Sequence, residues 1–321
     1  MSKVKIAVAG PIPRDTIITH KGETIEKYGC VTHPAIALAK LLDDRGEVFP
    51  VTHINKVDEA PVKKLFSQYG NIRTEGIHTH HDKGTVIELR FLDQNNRMEK
   101  QRSSMSPILP EDVEPFLDAD VFVFVPITDF EIALDTLKYL KENSKAQIIF
   151  DAHGPTTWVD EEGTRLRKIW KDKKDWLPYI DVLKMNLEES QFSWFEDENI
   201  LTEYNEELTD HLDSFADACL ELGTRYVYVT LDSRGCVVYW KDNGKTEKTF
   251  IPSMKVDHVV DTTGCGDSFA GGLAYGHAVH ADPVIAAQYA NILGALRTQG
   301  KDFSVFKDRK ETEALRKSVY L

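Results

Sequence analysis

The chain alternates between short apolar runs and longer amphipathic segments. Apolar runs at residues 4–9, 121–125 and 147–150 predict buried strands, because a strand covered on both faces shows no regular polar alternation. Apolar positions at helical spacing within residues 130–141 and 282–299 predict helices. Strands and helices in alternation predict a three-layer α/β/α fold with a mostly parallel central sheet, in one domain that spans the chain.

Two segments interrupt this alternation and predict β-hairpins. Residues 14–29 contain extended runs on either side of Lys21 and Gly22, and residues 85–102 contain extended runs around the polar residues 93–96. In the second hairpin polar and apolar residues alternate, which indicates one solvated face and one covered face. The pattern fits a lid that closes over a substrate, and it equally fits an ordinary solvent-facing sheet.

Composition narrows the classes of function. The 321 residues carry a formal net charge of −13, which disfavours general binding to nucleic acids or to membrane surfaces, since both require positive patches. Four cysteines lie far apart and show no C-x-x-C spacing, which favours a reducing cytoplasm over a disulfide or metal framework. The N-terminal segment is too short and too charged for a signal peptide, and no apolar run reaches the ~20 residues of a membrane span.

The richest stretch for chemistry is residues 260–272, Val-Asp-Thr-Thr-Gly-Cys-Gly-Asp-Ser-Phe-Ala-Gly-Gly, where extended residues lead into a helix. The N–H groups of Gly264, Cys265 and Gly266 would face a bound anion, with the positive end of the helix dipole behind them. Asp267 adds one carboxylate at the rim. An anion-binding turn beside a carboxylate suits phosphoryl transfer to an alcohol, because the carboxylate can take the hydroxyl proton. Taken alone, these residues also fit a helix cap on a glycine turn.

The string D-T-T-G-C-G-D at residues 261–267, followed by S-F-A-G-G, resembles the second signature of the PfkB family of carbohydrate and nucleoside kinases. That family includes ribokinases, fructokinases and adenosine kinases, and its string is typically D-T-x-G-A-G-D, so Cys265 stands where alanine is usual. The resemblance extends over about residues 4–300. It implies a ribokinase-like fold with a small β-lid, Asp267 as the catalytic base, and an anion hole formed by Gly264, Cys265 and Gly266.

A second motif is N-x-x-E at Asn186 and Glu189, which follows an apolar strand. The resemblance implies that these residues organise Mg²⁺, its waters and the phosphates, with Glu189 acting through water. Two residues three apart lie on one face of the first helical turn, and Mg²⁺ prefers oxygen ligands and retained water. The alternative is a capping box without any ion, since asparagine and glutamate at this spacing are common at helix starts.

The acceptor side matches the family less well. Gly10 and Asp15 keep the spacing of a glycine and of an aspartate that holds sugar hydroxyls, so the resemblance implies that Asp15 faces the acceptor. Gly29 keeps the second glycine of the first family signature, whereas Tyr28 replaces the first and His33 replaces an asparagine. We expect His33 to contact the substrate; the alternative is a helix-start residue with no ligand.

The resemblance also implies a nucleotide side built by Thr230, Gly235 and Asn291, the last at the adenine end. Asp232 stands where the family has a glycine near the phosphates, so we assign it no binding role. At the strand end that is often D-P-N in the family, Asp151 is kept and is a weak site candidate, while His153 replaces the asparagine. A monovalent cation such as K⁺ often lies behind the anion hole in the family, which implies backbone ligands near Asp261 and Thr263; the sequence leaves its presence open.

These features predict an ATP-dependent kinase that phosphorylates a hydroxymethyl or similar alcohol of a sugar with the help of Mg²⁺. A nucleoside acceptor is the first alternative, because Tyr28 could stack on a base or close off a small sugar. A sensor that binds a sugar or nucleoside without turnover is the second. The chain has no G-x-x-x-x-G-K-[ST] string and no G-x-G-x-x-G after its first strand, which disfavours a P-loop protein and a dinucleotide-binding protein. Exposed lid edges predict a homodimer.

Overall fold

The computed structural model describes residues 3–18, 22–91, 97–196 and 207–321. Within these residues the central sheet has nine strands, in the spatial order β15 (Lys245–Pro252), β14 (Gly235–Asp242), β13 (Tyr226–Thr230), β12 (Val182–Asn186), β9 (Gln147–Asp151), β8 (Val121–Phe124), β1 (Val4–Ala9), β4 (Gly46–His53) and β5 (Ile77–His78). Neighbouring strands from β13 to β5 run parallel, whereas β14 and β15 join the edge in antiparallel pairs. The predicted mostly parallel sheet is confirmed.

Helices cover both faces of this sheet. They are α1 (Thr32–Leu42), α2 (Lys56–Phe66), α3 (Pro110–Val113), α4 (Leu134–Asn143), α5 (Lys173–Trp176), α6 (Leu187–Trp194), α7 (Leu212–Glu221), α8 (Cys265–His280), α9 (Pro283–Arg297) and α10 (Arg309–Tyr320). Alternate residues of the buried strands enter two separate apolar cores. In β1, Ile6 and Val8 belong to the core that contains residues of α1, α8 and α9, while Ala7 and Ala9 belong to the core that contains residues of α4 and α7. This arrangement confirms the three layers.

Two helix starts differ from the sequence-based expectation, and in each case side-chain hydrogen bonds explain the difference. The helix expected from residue 130 begins only at Leu134, because the Glu131 carboxylate instead accepts hydrogen bonds from the N–H groups of Ile127 and Thr128, at 2.6 and 3.1 Å. The helix expected from residue 282 begins at Pro283, because the Asp282 side chain caps it by accepting from the Ile285 N–H at 2.8 Å.

Both predicted hairpins form, and together they make a second sheet. Strands β2 (Arg14–Ile18), β3 (Thr24–Tyr28), β6 (Val86–Phe91) and β7 (Arg97–Ser103) pair in the order β3, β2, β6, β7. We call these four strands the lid sheet. The hairpins join through β2 and β6, which run parallel. The turn predicted at residues 93–96, and Lys21 in the turn of the first hairpin, lie outside the described residues.

The lid sheet is fastened to α2 of the main body through one buried carboxylate. Arg14 Nη1 and the Tyr28 hydroxyl both donate to Asp58 Oδ1, at 3.1 and 2.9 Å. A short antiparallel pair, β10 (Thr157–Val159) and β11 (Arg165–Arg167), lies on the other side of the lid sheet, where the Gln101 N–H donates to the Gly163 carbonyl. Among the described residues, no helix has both the length and the apolar character that crossing a bilayer requires.

Candidate active site

The loop before α8 has a backbone conformation that requires glycine. Gly264 has φ 79° and ψ 8°, in the left-handed region, and it occupies the position before the first helical residue. A Cβ at this residue would lie 2.3 Å from Cδ2 of His33, so a side chain is excluded by contact as well as by conformation. The loop therefore rests directly on the His33 ring.

The anion hole differs in one part from the prediction. Of the three N–H groups expected to form it, that of Cys265 donates to the Thr262 carbonyl at 3.2 Å and closes the turn. The following N–H groups, of Gly266 and Asp267, belong to the first turn of α8, where helix geometry provides no acceptor. The N–H groups available to an anion are therefore those of Gly266 and Asp267, rather than the Cys265 N–H that the motif indicates.

Asp267 lies on this first turn of α8 and is partly buried. Burial raises the pKa of its carboxyl group, and the charge of Lys184 opposes the shift. The Cys30 thiol lies 3.8 Å from Asp267 Oδ1 and 3.1 Å from the Val125 carbonyl. Asp267 is thus fixed against the turn that precedes α1.

Lys184 is a site residue that the sequence reasoning missed. Its side chain is buried, and its ammonium donates to Asp151 Oδ2 at 2.6 Å. The same Nζ would lie 3.2 Å from a Cβ on Gly266, so the positive charge lies beside the helix start. Burial alone would lower the pKa of Lys184, but the carboxylates of Asp151 and Glu189 raise it above its ordinary value. The available signal was a lone charged residue in the apolar strand 182–186.

Asn186 and Glu189 form a complete capping box. Asn186 Oδ1 accepts from the Glu189 N–H at 2.7 Å, and Glu189 Oε2 accepts from the Asn186 N–H at 2.9 Å. Glu189 is only 1% exposed, and its Oε1 also accepts from His153 Nδ1 at 2.8 Å. Burial alone would raise the pKa of Glu189, but the His153 hydrogen bond and the Lys184 charge hold it well below its usual range. The carboxylate is therefore ionised, and its role toward Mg²⁺ stays a prediction.

Asp15 and Gly29 lie together on the acceptor side. Asp15 is buried, and its Oδ2 would be 3.0 Å from a Cβ on Gly29. Burial raises the pKa of Asp15 to about 7, and the nearby Glu99 adds to the shift while Arg165 opposes it. Arg165 on β11 links the β10–β11 pair to the lid sheet, since its Nη1 donates to Glu99 Oε1 on β7 at 2.9 Å. A carboxyl group that is easily protonated thus lies on lid strand β2 beside Gly29, and its contact with an acceptor stays a prediction.

His33 lies under the loop that precedes α8. It is 3% exposed, packs under Gly264 and lies 5.2 Å from the Phe303 ring. Burial and the charge of Arg297 lower the pKa of His33 to about 3, so the ring is neutral. The ring lies against the loop at Gly264, and the substrate contact expected of His33 stays a prediction.

Arg297 connects His33 to the residues for which a cation site was expected. Its Nε donates to His33 Nδ1 at 3.1 Å, and its Nη2 donates to Asp261 Oδ2 at 3.3 Å. Asp261 Oδ1 accepts from the Thr263 N–H at 2.9 Å. Burial alone would raise the pKa of Asp261, but the Thr263 N–H and Arg297 lower it. A guanidinium group thus supplies positive charge behind the loop.

The predicted nucleotide residues meet in one cavity of about 520 Å³. Thr230, Gly235, Cys265, Gly266 and Asn291 all line it, together with apolar side chains that include Val256, Val259 and Phe269. Gly235 has φ 131°, and a Cβ on it would lie 2.1 Å from the Ile251 carbonyl oxygen, so this glycine shapes the wall. Asn291 Nδ2 donates to the Ile251 and Pro252 carbonyls, so its contact with an adenine stays a prediction.

A model of the pfkB family of carbohydrate kinases matches residues 35–305. The chain belongs to this family. The resemblance drawn from residues 261–267 is therefore confirmed. An uncharacterized sugar kinase of Archaeoglobus fulgidus is 40% identical over 81 residues, which cover 25% of this pfkB-family chain and 30% of that relative. The matched part is thus less than a third of the relative's length.

Solved structures of ribokinase-family members share the fold. Arabidopsis thaliana ribokinase, complexed with ribose and ATP, superposes with a TM-score of 0.74 at 18% identity and covers 99% of both chains. A pyrophosphate-dependent kinase of the ribokinase family, in a sulfate complex, superposes with a TM-score of 0.72 at 18% identity, covering 97% of this chain and 99% of that one. At such identities the likeness shows the ribokinase-like fold alone, as the sequence predicted.

Proposed function

We propose that this pfkB-family protein transfers a phosphoryl group from ATP to a hydroxyl group of a sugar. One observation carries the proposal: Asp267 stands between the two halves of the site. Its neighbours Cys265 and Gly266 line the apolar cavity on one side. On the other side its carboxylate contacts Cys30, next to Gly29 and Asp15. A donor and an acceptor bound in the two halves would meet at Asp267.

The chemistry needs a proton acceptor and positive charge. The Asp267 carboxylate takes the proton of the acceptor hydroxyl as that oxygen bonds to the γ-phosphorus, and the bond to the bridging oxygen of ADP breaks. Lys184 and the N–H groups at the start of α8 face the oxygens of the transferred group and stabilise their charge. Asp15 orients the acceptor by accepting hydrogen bonds from its other hydroxyls, and the lid sheet excludes water.

For Mg²⁺, the donor set fits a site mediated by water. The oxygens of Glu189 already accept from His153 Nδ1 and from Asn186, so they are turned toward the protein and offer an ion only outer-sphere contacts. Asn186 and Glu189 would hold the ion through its waters. When bound, Mg²⁺ supplies positive charge to the phosphate oxygens.

The cavity supports a nucleotide as the donor. Pyrophosphate has no apolar part, whereas this cavity presents Val256, Val259 and Phe269 in a volume of about 520 Å³. Ligand pockets of ~300–1,000 Å³ with mostly apolar walls and a few polar groups are typical of drug-sized ligands such as nucleotides. ATP is therefore a better match than pyrophosphate.

The position of Tyr28 supports a sugar over a nucleoside. Its hydroxyl donates to Asp58 Oδ1 at 2.9 Å, and its ring packs against the apolar core. The ring is thus committed to the base of the lid sheet and is not available to stack on a nucleobase. We propose a sugar acceptor for this reason.

An assay of ADP release with ATP and Mg²⁺ tests this function. A panel of ketoses, aldoses, sugar acids and nucleosides is offered to the purified protein. In a parallel series pyrophosphate replaces ATP, and release of orthophosphate is measured instead of ADP. Release of ADP that depends on one class of sugar is expected. Turnover with pyrophosphate alone would contradict the donor, and turnover with nucleosides alone would contradict the acceptor. Ligand-dependent thermal stabilisation without any turnover would identify a sensor instead.

A further inference from the structure

A group of histidines lies at the far edge of the central sheet, away from Asp267. His53 ends β4, His78 ends β5, and His80 and His81 follow in the turn after β5. With Asp112 on α3, they line a cavity of about 390 Å³. One nitrogen each of His53, His80 and His81 lies within 4.8 Å of the others. The proposed kinase reaction uses none of these residues.

The hydrogen-bond partner of His53 determines which of its ring nitrogens carries the proton. His53 is 2% exposed, and its Nε2 lies 3.0 Å from Asp112 Oδ2. The same carboxylate oxygen accepts from the Leu109 N–H at 2.8 Å. Because a carboxylate only accepts, the proton of the neutral His53 ring is on Nε2, and Nδ1 carries a free lone pair.

That lone pair has no partner. Within the described part of the chain, His53 Nδ1 is buried and accepts no hydrogen bond. Its ring centroid lies 5.3 Å from those of both His80 and His81. A buried polar atom without a partner destabilises the folded chain, so its retention calls for an explanation.

The turn that carries the two exposed histidines is tied to the start of α2 by two hydrogen bonds. Asp82 Oδ1 accepts from the Lys56 N–H at 2.7 Å, and Asn55 Oδ1 accepts from the Gly84 N–H at 3.1 Å. The imidazoles of His80 and His81 therefore stay near His53, with centroids 4.0 Å from each other. Rotation of these two exposed side chains can bring the three nitrogens to the roughly 3.4 Å spacing of a tetrahedral ion with ligands at ~2.0–2.1 Å.

We infer that His53, His80 and His81 bind one borderline transition-metal ion, with Zn²⁺ as the best match. Imidazole nitrogens suit Zn²⁺, Co²⁺ and Ni²⁺ and suit Mg²⁺ poorly. A histidine that passes its other N–H to a carboxylate, as His53 does to Asp112, has the arrangement common among metal ligands. Three nitrogens leave a fourth position for water. The ion would fasten the turn that leads into lid strand β6 to the end of β4.

Metal titration tests the site directly, without reference to kinase activity. The full chain is stripped with a chelator, desalted and titrated with ZnCl₂ by calorimetry, and Co²⁺ is added separately to follow its visible absorption. We expect one equivalent to bind, with an intense tetrahedral Co²⁺ spectrum. The double variant His80→Ala/His81→Ala removes two exposed side chains and should abolish both signals. His280→Ala, which removes an exposed imidazole elsewhere, should leave them unchanged.

Asp112 provides a second, graded test. Asp112→Asn keeps the shape of the side chain but weakens its hold on His53 Nε2, and should weaken Zn²⁺ binding by ~10–100-fold. Wild-type protein that fails to bind Zn²⁺ saturably would overturn the inference. Stoichiometric binding retained in the double histidine variant would overturn it too, because the ion would then lie elsewhere.

Discussion

At the scale of single residues, the charge balance around Asp267 depends on Lys184. This ammonium pairs with Asp151 and lies beside Gly266, so it neutralises one buried carboxylate while facing the place where phosphate charge would develop. The stability of the fold and the rate of phosphoryl transfer therefore both depend on Lys184. The two contributions can be separated, because only the first depends on Asp151.

Lys184→Met should lower the free energy of unfolding by about 3–5 kcal/mol, because Asp151 is left buried without its partner. It should also lower kcat by ~10²–10³-fold, as expected for the loss of one preorganised electrostatic group. Urea unfolding and ADP release measure the two effects. In the double variant Lys184→Met/Asp151→Asn, stability should recover while kcat stays low. Recovery of kcat along with stability would show that Lys184 acts only through folding.

Asp15 makes stability depend on pH. Its folded pKa is about 7, above the ordinary value of 3.8, so the folded protein holds a proton that the unfolded chain releases. The buried carboxyl therefore reduces stability progressively as pH rises from about 4 to 7, by at most roughly 4 kcal/mol. Asp15→Asn removes this titration. The stability of Asp15→Asn relative to wild type should grow over that pH range and then level off. A stability difference independent of pH would contradict the environment described for Asp15.

At the scale of elements, the loop at residues 261–264 is supported by two helices that are distant in sequence. His33 on α1 lies under Gly264, and Arg297 on α9 holds both His33 and Asp261. The Arg297 guanidinium, paired with the Asp261 carboxylate, thus lies on the side of the loop where a monovalent cation was expected. Because both supports are buried, the loop is preorganised before any substrate arrives.

This support predicts that turnover does not depend on K⁺. Rates of ADP release should agree in KCl, NaCl and tetramethylammonium chloride at equal ionic strength, because Arg297 already occupies the side of the loop near Asp261. Marked stimulation by KCl alone would place a monovalent cation behind the loop after all.

The same loop shows how far sequence reasoning reaches. Residues 261–267 predicted a glycine turn into a helix with Asp267 on its first turn, since these are local properties of the chain. The contacts of Lys184 with Gly266 and of Arg297 with His33 could not be predicted, because periodicity tells which face of an element is buried and not which element covers it. For the same reason the position of His33 under the loop could not be predicted.

At the scale of the whole molecule, the lid sheet has one unprotected edge. In the described part of the chain, β3 has no strand on its outer side, and Ile25 on it is 42% exposed. Strands at such edges pair with a second copy, and a lysine in place of the exposed apolar Ile25 disfavours that pairing. The homodimer expected from the sequence stays a prediction, and pairing through β3 is its proposed route.

Light scattering after size-exclusion chromatography measures the state of assembly. Wild-type protein should have the mass of two chains, and Ile25→Lys should have the mass of one. Val319→Lys, which places the same charge on α10 outside the lid sheet, should remain dimeric. A monomeric wild type, or a dimer that Ile25→Lys leaves intact, would rule out pairing through β3.

The most direct test of the proposed reaction is the rate of Asp267→Asn beside that of Asp242→Asn, an exposed control at the end of β14. Acceptor-dependent ADP release should fall by ~10²–10⁴-fold in Asp267→Asn, the loss expected for a general base, and should be unchanged in the control. Thermal shifts with ATP and with the acceptor should persist in both variants, since the cavity and Asp15 are intact. An Asp267→Asn protein that still binds both ligands and turns over at the wild-type rate would contradict the assignment of Asp267 as the base.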